Sequence, residues 1–493
     1  MSQYSRLHSI SHLAEGAKIY LIGIGGISMS GLAEIAQAAG FAVYGSDQHK
    51  TNRTVYLQNK GMDIQYSHEA NRIDQIKPDL VVYTAAIHDD NPEIIRARAL
   101  MITTIDRATF LGWLNQTFDQ VINISGTHGK TTTTALCSLI LLASGIDPTV
   151  HLGAELEQFH STVHLGEPGK LMVSEACEYM NSFLKFYSTT AAVLNIDYDH
   201  VDFYDNLNDV IHSFVRFSNQ LPENGSLVIP DFDPNVDKMI RDLAALRIAQ
   251  KRQMPRLLYF GACKETTDAG HEGFFYRNLT YINGMPRFEV WHNQTHYCTI
   301  KLRIPGLHNV LNTLAAIACA HLHGAKPNAV TAVSESFRGA EGRFTETGTY
   351  RGARVIADYA HHPAAARATL EAAKHIPHQR TWVVFQPLTY TRTRVLFNDY
   401  VEVLKDCESV IFSEIYSDRD EAGPDQMSSR LLTEAINALG GHAQFVPDFK
   451  EIKRMLDTVV KPGDLILVLG PEDIREFADQ LTGRQAYDHH LKK

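Results

Sequence analysis

Short apolar runs alternate with helix-like segments along most of the chain. The stretch "KIYLIGIGGISMSGLAEIAQAAGFAVYGSD", from Lys18 to Asp47, has an apolar run, a glycine loop, apolar residues at helical spacing and a second apolar run. Similar runs recur as "DLVVYTAAI", "KLMVSEA", "TAAVLNID", "RTWVVFQ", "SVIFSEI" and "DLILVLG". Strands that alternate with helices are typical of α/β folds with doubly wound sheets. We therefore predict an α/β fold with mostly parallel sheets.

The length of the chain predicts several domains. A single hydrophobic core stops growing well below 493 residues, which favours about three domains. Three α/β units begin along the chain, and we predict domains at residues 1–114, 115–338 and 339–493. Within the second, alternation of period two and the turn pair Asn283-Gly284 predict that Arg256 to Leu302 form antiparallel ribbons, inserted into that domain.

The composition is typical of a globular protein, with 44% hydrophobic and 21% charged residues. A formal net charge of -10 argues against general nucleic-acid binding, which requires clustered lysine and arginine. Six scattered cysteines without a C-x-x-C pair argue against a disulfide framework or a zinc cluster. No basic start precedes an apolar run at the N-terminus, and no apolar stretch is long enough to span a membrane. We expect a cytoplasmic protein without membrane insertion.

The segment "NISGTHGKTTTTAL" contains a candidate phosphate loop. Backbone amides from Gly126 to Thr131 can face phosphate oxygens at the start of a helix. Lys130 can bridge terminal phosphates, and the Thr131 hydroxyl can bind magnesium. Ile124 stands where the usual loop pattern has its first glycine, so an incidental glycine turn is the alternative.

Acidic residues end two later apolar runs. Glu175 and Glu178 follow one strand in "VSEACEY", and Asp197, Asp199 and His200 follow the next in "LNIDYDHVD". Each residue alone is as consistent with a helix cap or a surface carboxylate. Their joint position after a phosphate loop favours a magnesium site at the carboxyl ends of these strands.

The first glycine loop, "GIGGIS", has the pattern G-x-G-x-x-S. Gly23 and Gly25 match a dinucleotide-binding loop, but Ser28 replaces its third glycine, and Asp47 ends the second strand where a ribose-binding acid is expected. This loop alone permits a nicotinamide cofactor.

Taken together, the motifs resemble those of the ATP-dependent Mur ligases of peptidoglycan synthesis. The resemblance spans the chain and rests on "GIGGISMSGLA", "GTHGKTTTT", "EACEY", "NIDYDH", "GLHNVLNTLAA", "GRFTE", "DYAHHP" and "FQPLTYTRT". It implies a Rossmann-like domain for a UDP-sugar, a central P-loop ATPase domain and a Rossmann-like C-terminal domain. The family's shortened "GTHGKT" loop also accounts for the missing glycine, and the first loop is then expected to bind the UDP diphosphate instead of a dinucleotide.

The resemblance implies ligation of L-alanine to the carboxylate of UDP-N-acetylmuramate, with ATP and Mg²⁺ as cofactors and an acyl phosphate as intermediate. Catalytic roles are implied for Lys130, His200, Arg343 and Asp358. Nucleotide contacts are implied for Gly126, Thr127, His128, Gly129, Lys130, Thr131, Thr132, Asn312 and Arg343. Metal ligation is implied for Thr131, Glu175 and His200. Substrate contacts are implied for Gly25, Gly26, Ile27, Ser28, Asp47, His68, Arg107, His361 and Arg392.

The sequence departs from the family pattern at the acceptor side. Leu388 replaces the histidine of "FQPH", which leaves glycine or L-serine as alternative acceptors. "EACEY" replaces "EADES", and "VLGPEDI" lacks the expected Gly-Ala-Gly. A ligase of murein recycling that adds a preformed peptide, and a regulatory protein without turnover, are further alternatives. A nicotinamide oxidoreductase leaves the "GTHGKT" loop and Arg343 without a role.

Overall fold

Three β-sheets follow one another along the chain and define its architecture. The computed structural model describes residues 13–84, 87–263, 271–340, 342–417, 420–423 and 426–484. Within these ranges the sheets contain five, ten and six strands. The predicted three-part α/β fold with mostly parallel sheets is confirmed. The predicted strand "DLVVYTAAI" includes Ala85 and Ala86, which lie outside the described residues.

The first sheet is parallel throughout. Its strands are β1 (Lys18–Ile22), β2 (Ala42–Ser46), β3 (Asp63–Gln65), β4 (Leu80–Tyr83) and β5 (Thr103–Asp106). Its helices are α1 (Ile27–Ala38), α2 (Asn52–Asn59), α3 (Ala70–Ile76), α4 (Pro92–Ala99) and α5 (Arg107–Asn115). The order β3-β2-β1-β4-β5 is that of a Rossmann-like sheet, with the first glycine loop between β1 and α1.

The second sheet forms the centre of the molecule. Its strands are β6 (Gln120–Ser125), β7 (Thr149–Leu156), β8 (Ser161–His164), β9 (Leu171–Glu175), β10 (Thr190–Val193), β11 (Ser226–Pro230), β12 (Arg256–Ala262), β13 (Gly273–Ile282), β14 (Met285–His292) and β15 (Thr295–Lys301). Its helices are α6 (Lys130–Ala143), a 3-10 helix (Tyr179–Lys185), α7 (Leu207–Asn219), α8 (Pro234–Ala249), α9 (Leu307–His321) and α10 (Pro327–Ser336). The phosphate loop connects β6 to α6, with β9 and β10 on either side of β6.

The ribbon prediction for Arg256 to Leu302 is partly wrong. β12 pairs in parallel with both β11 and β13, and only β13, β14 and β15 run antiparallel, as the edge of the same ten-stranded sheet. Phe260 and Phe274 are buried in the core shared with α6 and α9, so this region extends the sheet and is not a separate insertion. Alternation of period two predicts strands but does not distinguish parallel from antiparallel pairing. The predicted turn is confirmed, because Asn283 and Gly284 both have positive φ between β13 and β14.

The third sheet is parallel except for its first strand. Its strands are β16 (Thr345–Tyr350), β17 (Ala353–Asp358), β18 (Thr381–Phe385), β19 (Val410–Phe412), β20 (Ala443–Phe445) and β21 (Leu465–Leu469). Its helices are α11 (Pro363–Lys374), α12 (Tyr390–Val395), α13 (Phe397–Leu404), α14 (Ser429–Ala438), α15 (Phe449–Val459) and α16 (Glu472–Thr482). The order is β16-β17-β21-β18-β19-β20, with β16 antiparallel to β17.

The three sheets supply the cores of three units that we call the N-terminal, central and C-terminal domains. The sheets lie within the predicted ranges 1–114, 115–338 and 339–493, whose limits stay predictions. One hydrophobic core is shared by the first sheet and one face of the second, while separate cores cover the two faces of the third. None of the described helices is long and apolar enough to cross a membrane.

The N-terminal and central domains meet where α5 contacts the 3-10 helix. Lys185 donates to Asp106 Oδ2 at 2.7 Å. Further along α5, a β-carbon at Gly112 would lie only 2.0 Å from the carbonyl oxygen of Lys185. The absence of a side chain at Gly112 therefore permits the two helices to touch.

We predict that Gly112→Ala destabilises the protein. Alanine favours a helix by about 1 kcal/mol over glycine, but overpacking a buried contact costs about 1–3 kcal/mol and here meets backbone. Thermal denaturation should show a lower melting temperature than wild type. Glu434→Ala on the exposed face of α14 is the control and should change little. An unchanged melting temperature for Gly112→Ala would contradict the close packing of this interface.

Candidate active site

The loop after β6 has the backbone shape of a phosphate-binding loop. Gly126 and Gly129 have φ values of 140° and 89°, which side chains rarely adopt. A β-carbon on Gly129 would lie 2.4 Å from Oδ1 of Asn312, so the loop packs directly against α9. The His128 amide donates to Oδ1 of Asn195 at 2.8 Å, and the Asn195 amide group donates back to the His128 carbonyl at 3.0 Å. These contacts fix the loop at the N-terminus of α6, where backbone amides attract anions.

The Lys130 ammonium group lies against the loop and is bound by internal acceptors. It donates to the carbonyls of Gly126 at 2.6 Å and Thr127 at 3.2 Å, and to Oε2 of Glu178 at 2.9 Å. Burial opposes the charge, but Glu178 raises the pKa of Lys130 above its ordinary value. Lys130 in turn lowers the pKa of Glu178 against the effect of burial. The charge of Lys130 is thus balanced by a buried carboxylate.

Thr131 and Glu175 form a hydrogen-bonded pair beside Lys130. The Thr131 hydroxyl donates to Oε2 of Glu175 at 3.0 Å, and the Gly153 amide donates to Oε1 at 2.7 Å. Glu175 ends β9, which is parallel to β6, so the strand order alone brings this carboxylate to the phosphate loop. The arrangement agrees with the predicted position of the acidic strand end.

His200 lies in an acidic environment at the edge of the loop. Its Nε2 is 3.5 Å from Oε1 of Glu178, and its backbone amide donates to Oδ1 of Asp199 at 2.6 Å. The ring also packs against Tyr179, with centroids 4.6 Å apart. Burial disfavours the protonated ring, but contacts with Cys177 and Glu178 raise the pKa of His200 to about 10. His200 is therefore an imidazolium cation at neutral pH.

Arg392, predicted as a substrate contact, is paired across the domain boundary. Its Nε and Nη2 donate to Oδ1 of Asp199 at 2.9 and 2.6 Å, and both side chains are buried. Burial raises the pKa of Asp199, but Arg392 holds it well below its ordinary value. The pair joins α12 of the C-terminal domain to the segment after β10 of the central domain. A contact between Arg392 and a substrate stays a prediction.

The C-terminal domain brings three further predicted residues to the site. The Arg343 guanidinium lies over the Tyr359 ring, 4.9 Å from its centroid. Burial raises the pKa of Asp358, which accepts a hydrogen bond from the Thr369 hydroxyl. Nδ1 of His361 is 3.0 Å from the Tyr359 carbonyl, and burial holds the pKa of His361 well below its ordinary value. His361 is therefore neutral in this position.

A cavity of about 480 Å³ between the central and C-terminal domains unites these groups. Its size is suitable for a small-molecule ligand. Most of the residues predicted for nucleotide, metal and catalytic roles line it: Thr127, His128, Gly129, Lys130, Thr131, Thr132, Glu175, His200, Asn312, Arg343, Asp358, His361 and Arg392. Leu388 also lines this cavity and is buried.

The first glycine loop lies in the N-terminal domain, and Asp47 directly after β2 binds its backbone. Oδ2 of Asp47 accepts from the Gly25 amide at 2.8 Å, and Arg53 donates to the Gly25 carbonyl at 3.0 Å. Gly26 is the cap residue before α1, and Ile27 begins the helix. These four predicted substrate residues, with Ser28, therefore surround the N-terminus of a helix, as an anion-binding loop requires.

Ser28 and Arg107 meet a histidine that the sequence analysis missed. Arg107 donates to the Ser28 hydroxyl at 2.7 Å, and this hydroxyl lies 3.1 Å from Nε2 of His151. His151 belongs to β7, so the contact joins the N-terminal and central domains. Burial lowers the pKa of His151 to about 4 and also lowers that of Arg107. The sequence does not indicate this contact, because His151 is a single histidine within the apolar strand "TVHLGAEL" and belongs to no motif.

His68 lies in a separate buried network within the N-terminal domain. Its Nδ1 is 2.9 Å from Oε2 of Glu93 and 3.1 Å from the Ser46 hydroxyl, and the Tyr20 hydroxyl donates to Glu93 at 2.6 Å. These contacts occupy Nδ1 of His68. Its contact with a substrate stays a prediction.

We predict that His151 makes the protein sensitive to acid. The unfolded chain gains a proton on this histidine near its ordinary pKa of about 6.5, whereas the folded ring stays neutral until about pH 4. Stability contributed by the neutral ring is therefore present above about pH 6.5 and falls as the pH approaches 4. Thermal denaturation should show that His151→Gln loses less stability than wild type between about pH 7 and 4.5, by roughly 2 kcal/mol. Equal acid sensitivity of the two proteins would contradict a buried neutral His151.

Comparison with known proteins places the architecture in a family. Three family profiles match in chain order: "Mur ligase family, catalytic domain" at residues 18–119, "Mur ligase middle domain" at 124–320 and "Mur ligase, glutamate ligase domain" at 342–471. Each profile falls on one of the three sheets, and together they cover most of the chain.

Similar proteins align over nearly the full length. A UDP-N-acetylmuramate--L-alanine ligase of Acetivibrio thermocellus is 40% identical over 461 residues, which are 94% of this chain and 94% of the relative. A ligase of the same name from Clostridium novyi is 38% identical and covers 93% and 95% of the two chains. The solved structure of the UDP-N-acetylmuramate-alanine ligase of Thermotoga maritima has a TM-score of 0.74 at 28% identity and covers 95% of this chain and 98% of its own. On the family profiles, the sequence identities and the three-sheet fold, the chain belongs to the Mur ligase family.

Proposed function

We propose that this protein uses ATP to join L-alanine to the carboxylate of UDP-N-acetylmuramate, a step of peptidoglycan precursor synthesis that releases ADP and phosphate. The observation that carries the proposal is the convergence of the phosphate loop, the Thr131–Glu175 pair and Arg343 of the C-terminal domain on one cavity. The 40% identity to an alanine-adding ligase over nearly the whole chain supports the choice of substrates.

The loop is suited to the triphosphate of ATP. Its amides stand at the N-terminus of α6, and Lys130 supplies a cation beside them. In this proposal a phosphate oxygen replaces the loop carbonyls as the partner of Lys130, while Glu178 keeps the ammonium group in place. Asn312, which contacts the loop from α9, is then in position for the base of the nucleotide.

The donor set beside the loop fits magnesium. The hydroxyl of Thr131 and the carboxylate of Glu175 are hard oxygen ligands 3.0 Å apart, and Mg²⁺ prefers such ligands together with phosphate oxygens. Bound there, Mg²⁺ would neutralise charge on the phosphates. The predicted metal ligand His200 fits less well, because Cys177 and Glu178 raise the pKa of this ring and favour its protonated form. Ligation by His200 requires that the proton leave first.

The chemistry proceeds in two substitutions. A carboxylate oxygen of UDP-N-acetylmuramate attacks the γ-phosphorus of ATP, the bond to the bridging oxygen breaks, and ADP leaves. The amine of L-alanine, after losing a proton, attacks the carbonyl carbon of the acyl phosphate, and the C–O bond breaks to release phosphate. Both steps gather negative charge, so they require cations aimed at the transferring group. Lys130 and Arg343 line the cavity from two different domains, and we assign this role to them.

The domain contacts protect the acyl phosphate from water. Arg392 and Asp199 hold the C-terminal domain against the central domain, and this pair lies beside His200. A site enclosed by both domains excludes water that would hydrolyse the mixed anhydride. On the opposite side, Arg107 lies close enough to Glu175 for the carboxylate charge to act on it.

We predict that Lys130→Ala lowers ATP-dependent phosphate release by about 10²- to 10³-fold, because a cation that stabilises the transferring group is lost. The variant also leaves Glu178 without its partner, so its melting temperature is measured in parallel. The double variant Lys130→Ala/Glu178→Gln removes that unpaired charge and should remain equally inactive. Lys238→Ala on exposed α8 is the matched control and should keep wild-type turnover. Wild-type turnover in the double variant would contradict the assignment of the phosphate loop.

We predict that phosphate release is greatest with L-alanine. The buried Leu388 gives the cavity an apolar surface, which suits a methyl group better than a hydroxyl. Release from ATP is measured with Mg²⁺, UDP-N-acetylmuramate and either L-alanine, glycine, L-serine or a peptide that begins with L-alanine. Higher turnover with glycine or L-serine would show that another amino acid is the acceptor and would contradict the choice of L-alanine. Turnover that occurs only when the peptide is the acceptor would identify a peptide ligase and contradict the proposal.

A further inference from the structure

A second group of potential ligands lies beside the phosphate loop, away from Thr131 and Glu175. His128, Asp197 and His362, here called the His-Asp-His cluster, each offer one ligand atom, and these atoms lie within 4.8 Å of one another. Nε2 of His128 is 3.6 Å from Oδ2 of Asp197, and Nδ1 of His362 is 4.0 Å from the same oxygen. The two histidine rings lie next to each other, with centroids 4.9 Å apart and planes tilted by 46°.

These distances are close to those of a metal site. Bonds of about 2.1 Å to a tetrahedral cation place neighbouring ligand atoms about 3.4 Å apart. The His128 nitrogen is about 0.2 Å and the His362 nitrogen about 0.6 Å beyond that distance from Asp197, and the two nitrogens lie within 4.8 Å of each other. Side-chain adjustments of up to about 1 Å would therefore bring the three ligand atoms around one cation.

The hydrogen bonds around the cluster leave the ligand atom of His128 available and orient the ring of His362. Nε2 of His128 is buried and has no hydrogen-bond partner among the described residues. Nε2 of His362 lies 3.2 Å from the carbonyl of Tyr198, which holds a proton on that nitrogen and turns Nδ1 towards Asp197. A ligating histidine commonly uses its second ring nitrogen in this way.

One existing contact would be replaced. Nδ1 of His362 accepts the amide of Ala364 at 3.2 Å and so caps α11. A metal bond to Nδ1 would displace this long hydrogen bond and leave one amide of the first turn of α11 without its cap. Loss of one cap is a small cost beside the affinity of a site with two imidazoles and a carboxylate.

The donor atoms select a different class of cation from the Thr131–Glu175 pair. Two imidazole nitrogens and one carboxylate favour Zn²⁺ and similar transition-metal ions, whereas Mg²⁺ prefers oxygen alone. His128 and Asp197 belong to the central domain and His362 to the C-terminal domain. We propose that the His-Asp-His cluster binds one Zn²⁺-class cation and thereby tethers the C-terminal domain to the phosphate loop.

The proposed cation site lies between two neighbouring cavities. His362 lines both the cavity of about 480 Å³ and a neighbouring cavity of about 680 Å³ between α9 and α11, while His128 lines the first and Asp197 the second. Three protein ligands leave a fourth position for water, as in sites that remain open. A cation held there restrains the domains next to the loop without occupying the Thr131–Glu175 pair.

The test uses the untagged full chain without ATP or Mg²⁺. Co²⁺ is titrated and followed by visible absorption, since tetrahedral Co²⁺ has intense bands, and Zn²⁺ is then added to displace it. We expect one tight site in wild type, an affinity at least about tenfold weaker in Asp197→Asn and His362→Gln, and unchanged binding in the matched neighbour variant His361→Gln. Equal binding by wild type and both cluster variants would overturn the proposal. Circular dichroism verifies the fold of each variant, and either folded cluster variant is sufficient for the test.

Hydrogen–deuterium exchange tests the tether separately. With Zn²⁺, wild type should gain protection in both residues 126–131 and residues 359–364, and Asp197→Asn should gain it in neither. Protection of only one of the two segments would show a cation bound without joining the domains and would overturn the tether.

Discussion

The buried pair of Lys130 and Glu178 is the interaction on which the rest of the site depends. Glu178 holds the ammonium group against the phosphate loop and keeps a proton on His200. A second internal carboxylate, Asp199, neutralises Arg392 in the same manner. The cationic side chains of the site are thus already paired with protein groups. A polyphosphate that enters the site competes with protein carbonyls and carboxylates for these cations. Removing one partner of such a pair is costly, because it leaves the other charge buried and unpaired.

Arginine side chains also connect the three domains. Arg107 of the N-terminal domain donates to Ser28 beside His151 and feels the charge of Glu175 at the end of β9. Arg392 and Arg343 of the C-terminal domain line the same cavity as the phosphate loop. The strand order of each sheet brings these residues to the domain boundaries, and the side chains then join them. Function in this family member follows from that convergence more than from any one domain.

Sequence patterns predicted the strands, the three α/β units and the phosphate loop, because glycine loops and acidic strand ends have local signatures. The other predicted residues of the cavity followed from the family resemblance. They did not predict which charges would pair. Nothing near Arg392 in the sequence indicates Asp199 as its partner, since the two are 193 positions apart. The contact of His151 with Ser28 was not predicted either, because this histidine interrupts an apolar strand and belongs to no motif. The Arg256 to Leu302 region was misread because period-two alternation gives strands but not their direction.

The central claim is that the substrate carboxylate accepts the γ-phosphate of ATP in this cavity. The most direct measurement uses UDP-N-acetylmuramate with ¹⁸O in its carboxylate, together with ATP, Mg²⁺, L-alanine and enzyme, and mass spectrometry of the phosphate released. The account predicts that each phosphate carries one carboxylate oxygen, because the C–O bond of the acyl phosphate breaks when the amine attacks. Phosphate without this label would mean that water or another group attacked ATP, and would contradict the acyl phosphate route.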